Sequence, residues 1–405
     1  MNAKDGYARA LSLLDDYLQP LDMLAPRGPL RAMAELTRGI VFTSSVQLSN
    51  AARMLSSSPR ALRRVVDRLS DHLSDPSWDH RPWAAAVLQY LADAVEEDDL
   101  VPLDGTELAK PYARKMQYFC TIKDASRVGQ PLVNGYWCWG AYHWKPPFHS
   151  LSPLMLRPWS TGQPGFLSEN DLIGGWFCSL RQATAGRGIW LIDRGADRPE
   201  ILSSLLQVQK RWIVRLRQDR ALIGPQGRRA SAGTWALWAL ANRPVRGHAV
   251  TLEVGLPPEE VRQYGTPPIL HLVVPTYTFI RNGKLERWIL LTCGLIGHHV
   301  GPRQVRYDYA LRWRAEDAKR FLGQIWHVER FLTRSFLALE RLLWCVCLAG
   351  GFLARLQGEE PALCHELGAQ VLYHRKKDRV PCYRLARGLQ AAAVEGGRMP
   401  MLNNA

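Results

Sequence analysis

The chain has 405 residues, enough to bury more than one hydrophobic core, so two or three domains are expected. Its 52 Lys and Arg outnumber 37 Asp and Glu, a formal net charge of +15 that favours a polyanionic partner, although many Arg-rich proteins are simply basic. The 8 Cys include one close pair, Cys345 and Cys347, and no CxxC to nucleate a zinc site, which leaves reduced, mostly buried thiols.

The N-terminus lacks the basic start and apolar core of a secretory signal. The most apolar stretch, residues 342–348, falls short of the roughly 20 residues that span a bilayer. A soluble, cytoplasmic protein with no membrane partner is therefore expected.

In chain order, apolar residues recur at three- and four-residue steps from residue 11 to about 94, the period of amphipathic helices. Residues 46–55 read as a short helix, followed by the turn Ser56-Ser57-Ser58. Ser58 suits an N-cap and Pro59 the first turn of a second helix, over residues 59–73. That helix sets Arg60, Arg63, Arg64 and Arg68 around Leu62, Val65, Val66 and Leu69. The pair reads equally as a helix-turn-helix aimed at a major groove and as a helical bundle with a solvated basic face. Residues 74–82, with two prolines, read as a linker, and a last helix ends at the acidic run 96–99.

Beyond this helical region, 1–95, the pattern changes. Val101-Pro102-Leu103 is a short apolar run ending at Asp104. Residues 118–122 and 136–139 are rich in aromatic and branched side chains, as antiparallel strands are, and 168–180 read as a helix. Ile189-Trp190-Leu191-Ile192 has the wholly apolar pattern of a strand buried on both faces and ends at Asp193. A helix over 198–209 precedes a similar run, Trp212-Ile213-Val214, ending at Arg215. From about 219 to 300 the chain reads mostly β, with strands at 249–254, 269–274 and 288–291. Residues 307–322 read as one long helix bearing Tyr309, Arg312 and Glu316. Apolar helices follow to about 356, then a basic tail with Arg375, Lys376 and Lys377.

Two acids thus sit at the carboxyl ends of strand patterns and a third on a later helix. Strand ends are where an α/β sheet presents ligands. Magnesium takes oxygen ligands and keeps part of its shell for water and phosphate, so a few carboxylates from different elements suffice. Two such ions, roughly 3.5–4 Å apart, activate the attacking oxygen and stabilise the leaving one in phosphoryl transfer.

The words around the acids are Leu103-Asp104-Gly105-Thr106, Leu191-Ile192-Asp193-Arg194-Gly195-Ala196-Asp197 and Tyr309-Ala310-Leu311-Arg312-Trp313-Arg314-Ala315-Glu316. Together, over residues 101–336, they resemble the bacterial insertion-sequence transposases of the DDE superfamily. The likeness is to the cut-and-paste branch that passes through DNA hairpins, whose Y-x-x-R-x-x-x-E signature the third word fits. The resemblance implies an α/β, ribonuclease-H-like mixed sheet flanked by helices over residues 96–336. It carries a β-rich insertion at about 219–300, an N-terminal helical DNA-binding domain, and C-terminal helices with a basic tail over 337–405. It also implies that Asp104, Asp193 and Glu316 are the catalytic residues and ligands of Mg2+, with Mn2+ as a substitute. The implied partners are double-stranded DNA, as terminal inverted repeats and target, and a second copy in a synaptic complex. Such a protein associates with the nucleoid when bound to DNA.

Other positions carry over singly. Tyr309 and Arg312 match residues that grip phosphates at the cleaved end, and their spacing on one helix gives them a common face with Glu316; a core aromatic is the alternative for Tyr309. Trp288, opening Trp288-Ile289-Leu290-Leu291-Thr292, matches a Trp that stacks on a flipped base, with a core role as the alternative. Arg215 matches an Arg that contacts phosphate, against a surface ion pair. One departure is Gly323, which stands where the family usually has Lys; Lys319 and Arg320 lie close by in sequence and would serve the same phosphates.

Lys110, Arg114 and Lys115 are lesser DNA-contact candidates that surface exposure explains as well, and His298-His299 lacks a third metal ligand. Two other readings stay open beside an active transposase: an inert, transposase-derived DNA-binding protein, towards which Gly323 leans, and another ribonuclease-H-like nuclease.

Overall fold

The computed structural model describes residues 3–21, 27–56, 58–125, 127–145, 150–246, 248–261, 268–281, 284–297, 300–369, 371 and 380–396. The basic triplet Arg375 to Lys377 and the His298-His299 pair lie outside them. Packing divides the chain into two compact units. The first comprises Met1–Ala94, Gly105–Phe166 and Glu316–Ala405, and the second Val95–Asp104 and Leu167–Ala315. The strand β1, Leu100–Ala109, contributes its beginning to the second unit and its end to the first.

The first unit is mainly helical. Its central element is the helix Phe336–Glu359, started by the Ser335 hydroxyl, which accepts from the Ala338 N–H. By length and composition this helix could cross a membrane, yet Leu339, Leu342, Leu343, Val346, Phe352 and Leu353 are buried within the unit. Those side chains serve as core rather than as an exposed interface. Packed near it are the helix Arg27–Thr43 and the antiparallel strands β2 (Cys120–Lys123), β3 (Leu132–Lys145) and β4 (Ser150–Trp159). Gly350 permits the close approach to β4, because a Cβ there would stand 2.5 Å from Pro153.

The N-terminal helices follow the sequence pattern. Leu48–Leu55 and Pro59–Ser74 form with Pro59 in the first turn, and Ser58 accepts from the Ala61 N–H. Arg60, Arg63 and Arg64 are exposed, whereas Arg68 is paired with Glu35 at 2.5 Å. Of the apolar stripe only Leu69 is buried, and Leu62, Val65 and Val66 are half-buried.

The linker expected over residues 74–82 connects the helices Pro59–Ser74 and Arg81–Ala92, and it is packed: Trp78 and His80 are buried and the segment wraps the guanidinium of Arg341. One expectation fails here. Lys110 is not a surface cation. It is buried, donates to the carbonyls of Glu329 and Phe331, and lies 3.7 Å from the Phe331 ring centroid. Burial pushes its ammonium down to about 8. Arg114 and Lys115 are exposed.

The second unit is a mixed α/β sheet. β1, β5 (Ile189–Ile192) and β6 (Trp212–Arg215) run parallel, as their uninterrupted apolar sequences lead one to expect. β7 (Ala221–Ile223) and β8 (Arg229–Ser231) make a separate hairpin. β9 (Ala249–Val254) and β10 (Leu270–Pro275) extend the main sheet, β11 (Phe279–Arg281) and β12 (Lys284–Glu286) form a second small hairpin, and β13 (Leu290–Cys293) joins β6 to β10 antiparallel. Within the stretch 219–300, which is rich in strands as expected, β9, β10 and β13 belong to the main sheet and the other strands form the two small hairpins. The helix Glu169–Ala183 is capped by Ser168, and Pro199–Val208 follows the turn after β5.

All eight cysteines are free thiols: Cys138, Cys293, Cys345, Cys347 and Cys364 are buried, Cys120 and Cys382 half-buried, and Cys178 exposed.

Candidate active site

Two of the three acids meet in the second unit. β1 and β5 pair in parallel up to Leu103 opposite Ile192, so Asp104 and Asp193 come next on neighbouring strands, about 4.8 Å apart in the pairing direction. Side chains alternate faces along a strand, so both carboxylates leave on the same face. β1 does not stop at Asp104 as the sequence suggested; the strand continues to Ala109, and only its pairing with β5 ends at Leu103. β5 does end. Asp193 remains extended and its carboxylate accepts from the Arg194 N–H at 2.6 Å, capping a 3-10 turn over Arg194–Ala196.

Arg312 faces this pair. Its Nη1 lies 3.1 Å from Asp104 Oδ2, with the two side chains 7% and 13% exposed. Tyr309 is buried, 2% exposed, and burial holds its phenol above the ordinary value; Asp193 adds to that shift while Arg312 and Arg215 oppose it. Trp288 packs edge-on against the Tyr309 ring, centroids 5.2 Å apart. Arg215 is buried and paired with Glu286 at 2.8 Å. Six residues drawn from separate sequence words thus gather in one place.

The local structure corrects several expectations about them. Residues 307–322 are not one helix. The helix Pro302–Ala310 passes through a 3-10 turn, Leu311–Trp313, before the helix Arg314–Gln324. The common face expected for Tyr309, Arg312 and Glu316 rested on an unbroken 3.6-residue period, which the 3-10 turn interrupts. Tyr309 takes the core-aromatic alternative, Trp288 lies two residues before β13 rather than in it, and Arg215 is engaged in an ion pair.

Glu316, Lys319 and Arg320 belong to the first unit. Glu316 is 38% exposed on its side chain and lies 3.5 Å from Lys319 Nζ, which also donates to the Gly105 carbonyl at 2.8 Å. Arg320 is exposed and lies 3.6 Å from Asp317. Gly323 is exposed, and a Cβ added there would meet nothing within 4 Å. A Lys at that position would fit.

The sequence reading missed what holds the Asp193 turn. Arg198 donates to the Gly195 carbonyl at 2.9 Å and to Glu169 and Asn170, both at 2.8 Å. Asp197 is buried, accepts from the Arg217 N–H at 2.6 Å and lies 3.4 Å from Arg220 Nε. Arg220 in turn binds Glu260. Asp197 stands in the same word as Asp193, four residues on, which was the available signal. Arg220 and Glu260 had none, because their pairing spans 40 residues.

Beside Tyr309, Asp308 is buried and accepts from the Gln304 side chain at 2.7 Å. Burial pushes its carboxyl up to about 6; Gln304 and Arg211 pull it down and Asp98 adds to the rise. The folded value lies above the unfolded one, so this group's stabilisation is full below pH 4 and is lost as pH rises through about 6. Asp308→Asn, which keeps the Gln304 contact, should remove that slope and raise stability at pH 7.5 by at most about 3 kcal/mol. Urea midpoints of both proteins at pH 5 and 7.5 test this; equal pH dependence would sink it.

Among the described residues, no group of three or more His, Cys, Asp or Glu side chains is arranged to hold a metal ion. Asp104 and Asp193, which follow the last paired residues of β1 and β5, are hard oxygen donors, the kind a cation takes when it keeps water or phosphate in the rest of its shell.

No family model matches the chain, and no curated protein matches it. Among solved structures it is similar to a piggyBac transposase in a synaptic complex with hairpin DNA. That match covers 92% of this chain and 72% of the other, at a TM-score of 0.46 and 11% identity. It is a distant structural likeness to a transposase, and it decides nothing about chemistry.

Proposed function

We propose that the chain is a DNA transposase that cleaves and joins transposon ends by divalent-metal-dependent phosphoryl transfer, with the second unit's sheet as its ribonuclease-H-like core. One observation carries the reading. The residues that three separate transposase-like words single out, Asp104, Asp193, Tyr309 and Arg312, are neighbours in one unit, with the two acids next after the paired Leu103 and Ile192.

Asp104 and Asp193 would hold Mg2+ or Mn2+, with Glu316 as the third ligand on the strength of its motif. The bound cation supplies charge neutralisation and an activated attacking oxygen. The protein's own contribution is positional. The capped turn after β5 fixes Asp193, and Arg312 supplies a positive charge beside the acids for a phosphate. Lys319 and Arg320, with the exposed Arg60, Arg63 and Arg64, would meet the duplex backbone electrostatically. The partners are then transposon ends, target DNA and a second copy of the chain, and the place of action is the bacterial cytoplasm at the nucleoid.

With Mg2+, the purified protein should nick duplexes carrying its element's inverted repeats. Asp193→Ala should lose nicking by at least about a thousandfold while keeping duplex affinity, since removing a metal-bound charge-stabilising group costs that order in rate. Nicking by Asp193→Ala at the wild-type rate would remove the assignment.

The second reading is an inert, transposase-derived DNA-binding protein. Arg312 bound to Asp104 and the missing Lys at Gly323 favour it. Duplex binding with no nicking in either Mg2+ or Mn2+ would select it.

A further inference from the structure

Asp104 already has a cationic partner. Arg312 approaches it to 3.1 Å, and both side chains are largely shielded from water, so their attraction is screened less than at a surface. A divalent cation and a guanidinium compete for the same carboxylate and repel each other. The Arg312 guanidinium is the group that the proposed function assigns to a DNA phosphate, and it cannot serve Asp104 and a phosphate equally well. The turn Leu311–Trp313 that carries it is a short 3-10 link between two helices, and while it binds Asp104 the guanidinium already lies over the exposed Trp313 ring, its carbon 5.6 Å from the centroid, a contact that holds the charge at the exposed side of the turn.

We propose that Arg312 is a displaceable counter-ion that couples cation binding to phosphate binding. With no cation, Arg312 neutralises Asp104. A cation at Asp104 and Asp193 expels Arg312, which is then available to a phosphate. A bound phosphate draws Arg312 away and leaves Asp104 open to the cation. By linkage the two effects are one factor: the cation strengthens duplex binding as much as the duplex strengthens cation binding. This rests on the metal reading of Asp104 and Asp193.

Mn2+ binding followed by electron paramagnetic resonance tests both levels without turnover. Arg312→Gln should bind Mn2+ about tenfold more tightly than wild type, a coupling of ordinary allosteric size. Arg312→Lys, which keeps the charge, should stay near wild type. At fixed ionic strength, Ca2+ should tighten wild-type binding of a short labelled duplex by about the same factor, and the enhancement should vanish in Arg312→Gln. Equal or weaker Mn2+ binding by Arg312→Gln, or an undiminished Ca2+ effect on its duplex binding, overturns the proposal. Asp104→Asn separates the two levels. If Mn2+ binding survives that change, the metal reading itself fails. If it is lost while Arg312→Gln still matches wild type, only the counter-ion proposal fails.

Discussion

Arg341→Met should destabilise the first unit by about 3–5 kcal/mol, although the side chain touches neither acid nor solvent. Arg341 is 0% exposed in the middle of an apolar helix. Its Nη1 donates to the carbonyls of His72 at 3.0 Å, Leu73 at 2.9 Å and Asp75 at 2.9 Å, and its Nη2 donates to that of Trp78. His72 and Leu73 close the helix Pro59–Ser74, whose last carbonyls have no intrahelical donor. The guanidinium also lies 4.4 Å from the Trp78 ring centroid. Met fills much of the volume but donates nothing, so four acceptors lose their partner at about 1–3 kcal/mol for each that water cannot reach. Arg341→Lys should cost roughly half as much, because one ammonium with three donors cannot span the same arc of carbonyls. Urea unfolding measures the total, and hydrogen exchange localises it: protection should fall first over residues 72–80. An unchanged midpoint for Arg341→Met would mean that the segment is held by its own turn chemistry.

That segment also marks where the sequence stops being readable. Two prolines, Ser and Asp over 74–82 have the composition of a linker, and nothing local contradicts it. The donor that makes it part of a core lies more than 260 positions away. Where the controlling signal is local, the reading holds. Ser58-Pro59 starts a helix because a hydroxyl cap and a fixed φ act within one turn. Ile189 to Ile192 and Trp212 to Arg215 are strands with the expected bounds because their apolar runs suit a sheet buried on both faces, and Ala249 to Val254 is one because its branched residues alternate with Thr251 and the exposed Glu253. At the candidate site, the word order brought Asp104, Asp193, Tyr309 and Arg312 to notice. Their burial was not legible. Tyr309 is in the core and Arg215 is paired because of Trp288 and Glu286, partners supplied by the end of β12 and the segment between it and β13. The break at Leu311–Trp313 likewise carries no Pro or Gly to announce it.

Asp197→Ala should then combine a stability loss with a loss at the site. The carboxylate is 0% exposed on its side chain and accepts from the Arg217 N–H, while Arg220, itself 4% exposed, lies against it and against Glu260. Truncation leaves a buried N–H without an acceptor and a buried guanidinium with one carboxylate fewer, a loss of about 3 kcal/mol. The same change keeps the Asp197 backbone N–H on the Arg194 carbonyl but cuts the carboxylate's tie to the Arg217 N–H, the side-chain bond that anchors the far end of the turn that Asp193 begins. A carboxylate on a loosened turn no longer stays in register with Asp104, so Mn2+ binding should weaken at least about tenfold under conditions where Asp197→Ala is still folded. The triple change Asp197→Ala, Arg220→Leu and Glu260→Gln should recover part of the stability, because it removes both under-paired charges, yet should recover none of the Mn2+ affinity. Recovery of both would mean that the charge, and not the turn, governs the site. A wild-type Mn2+ affinity in Asp197→Ala would show that Asp193 is held from the strand side alone.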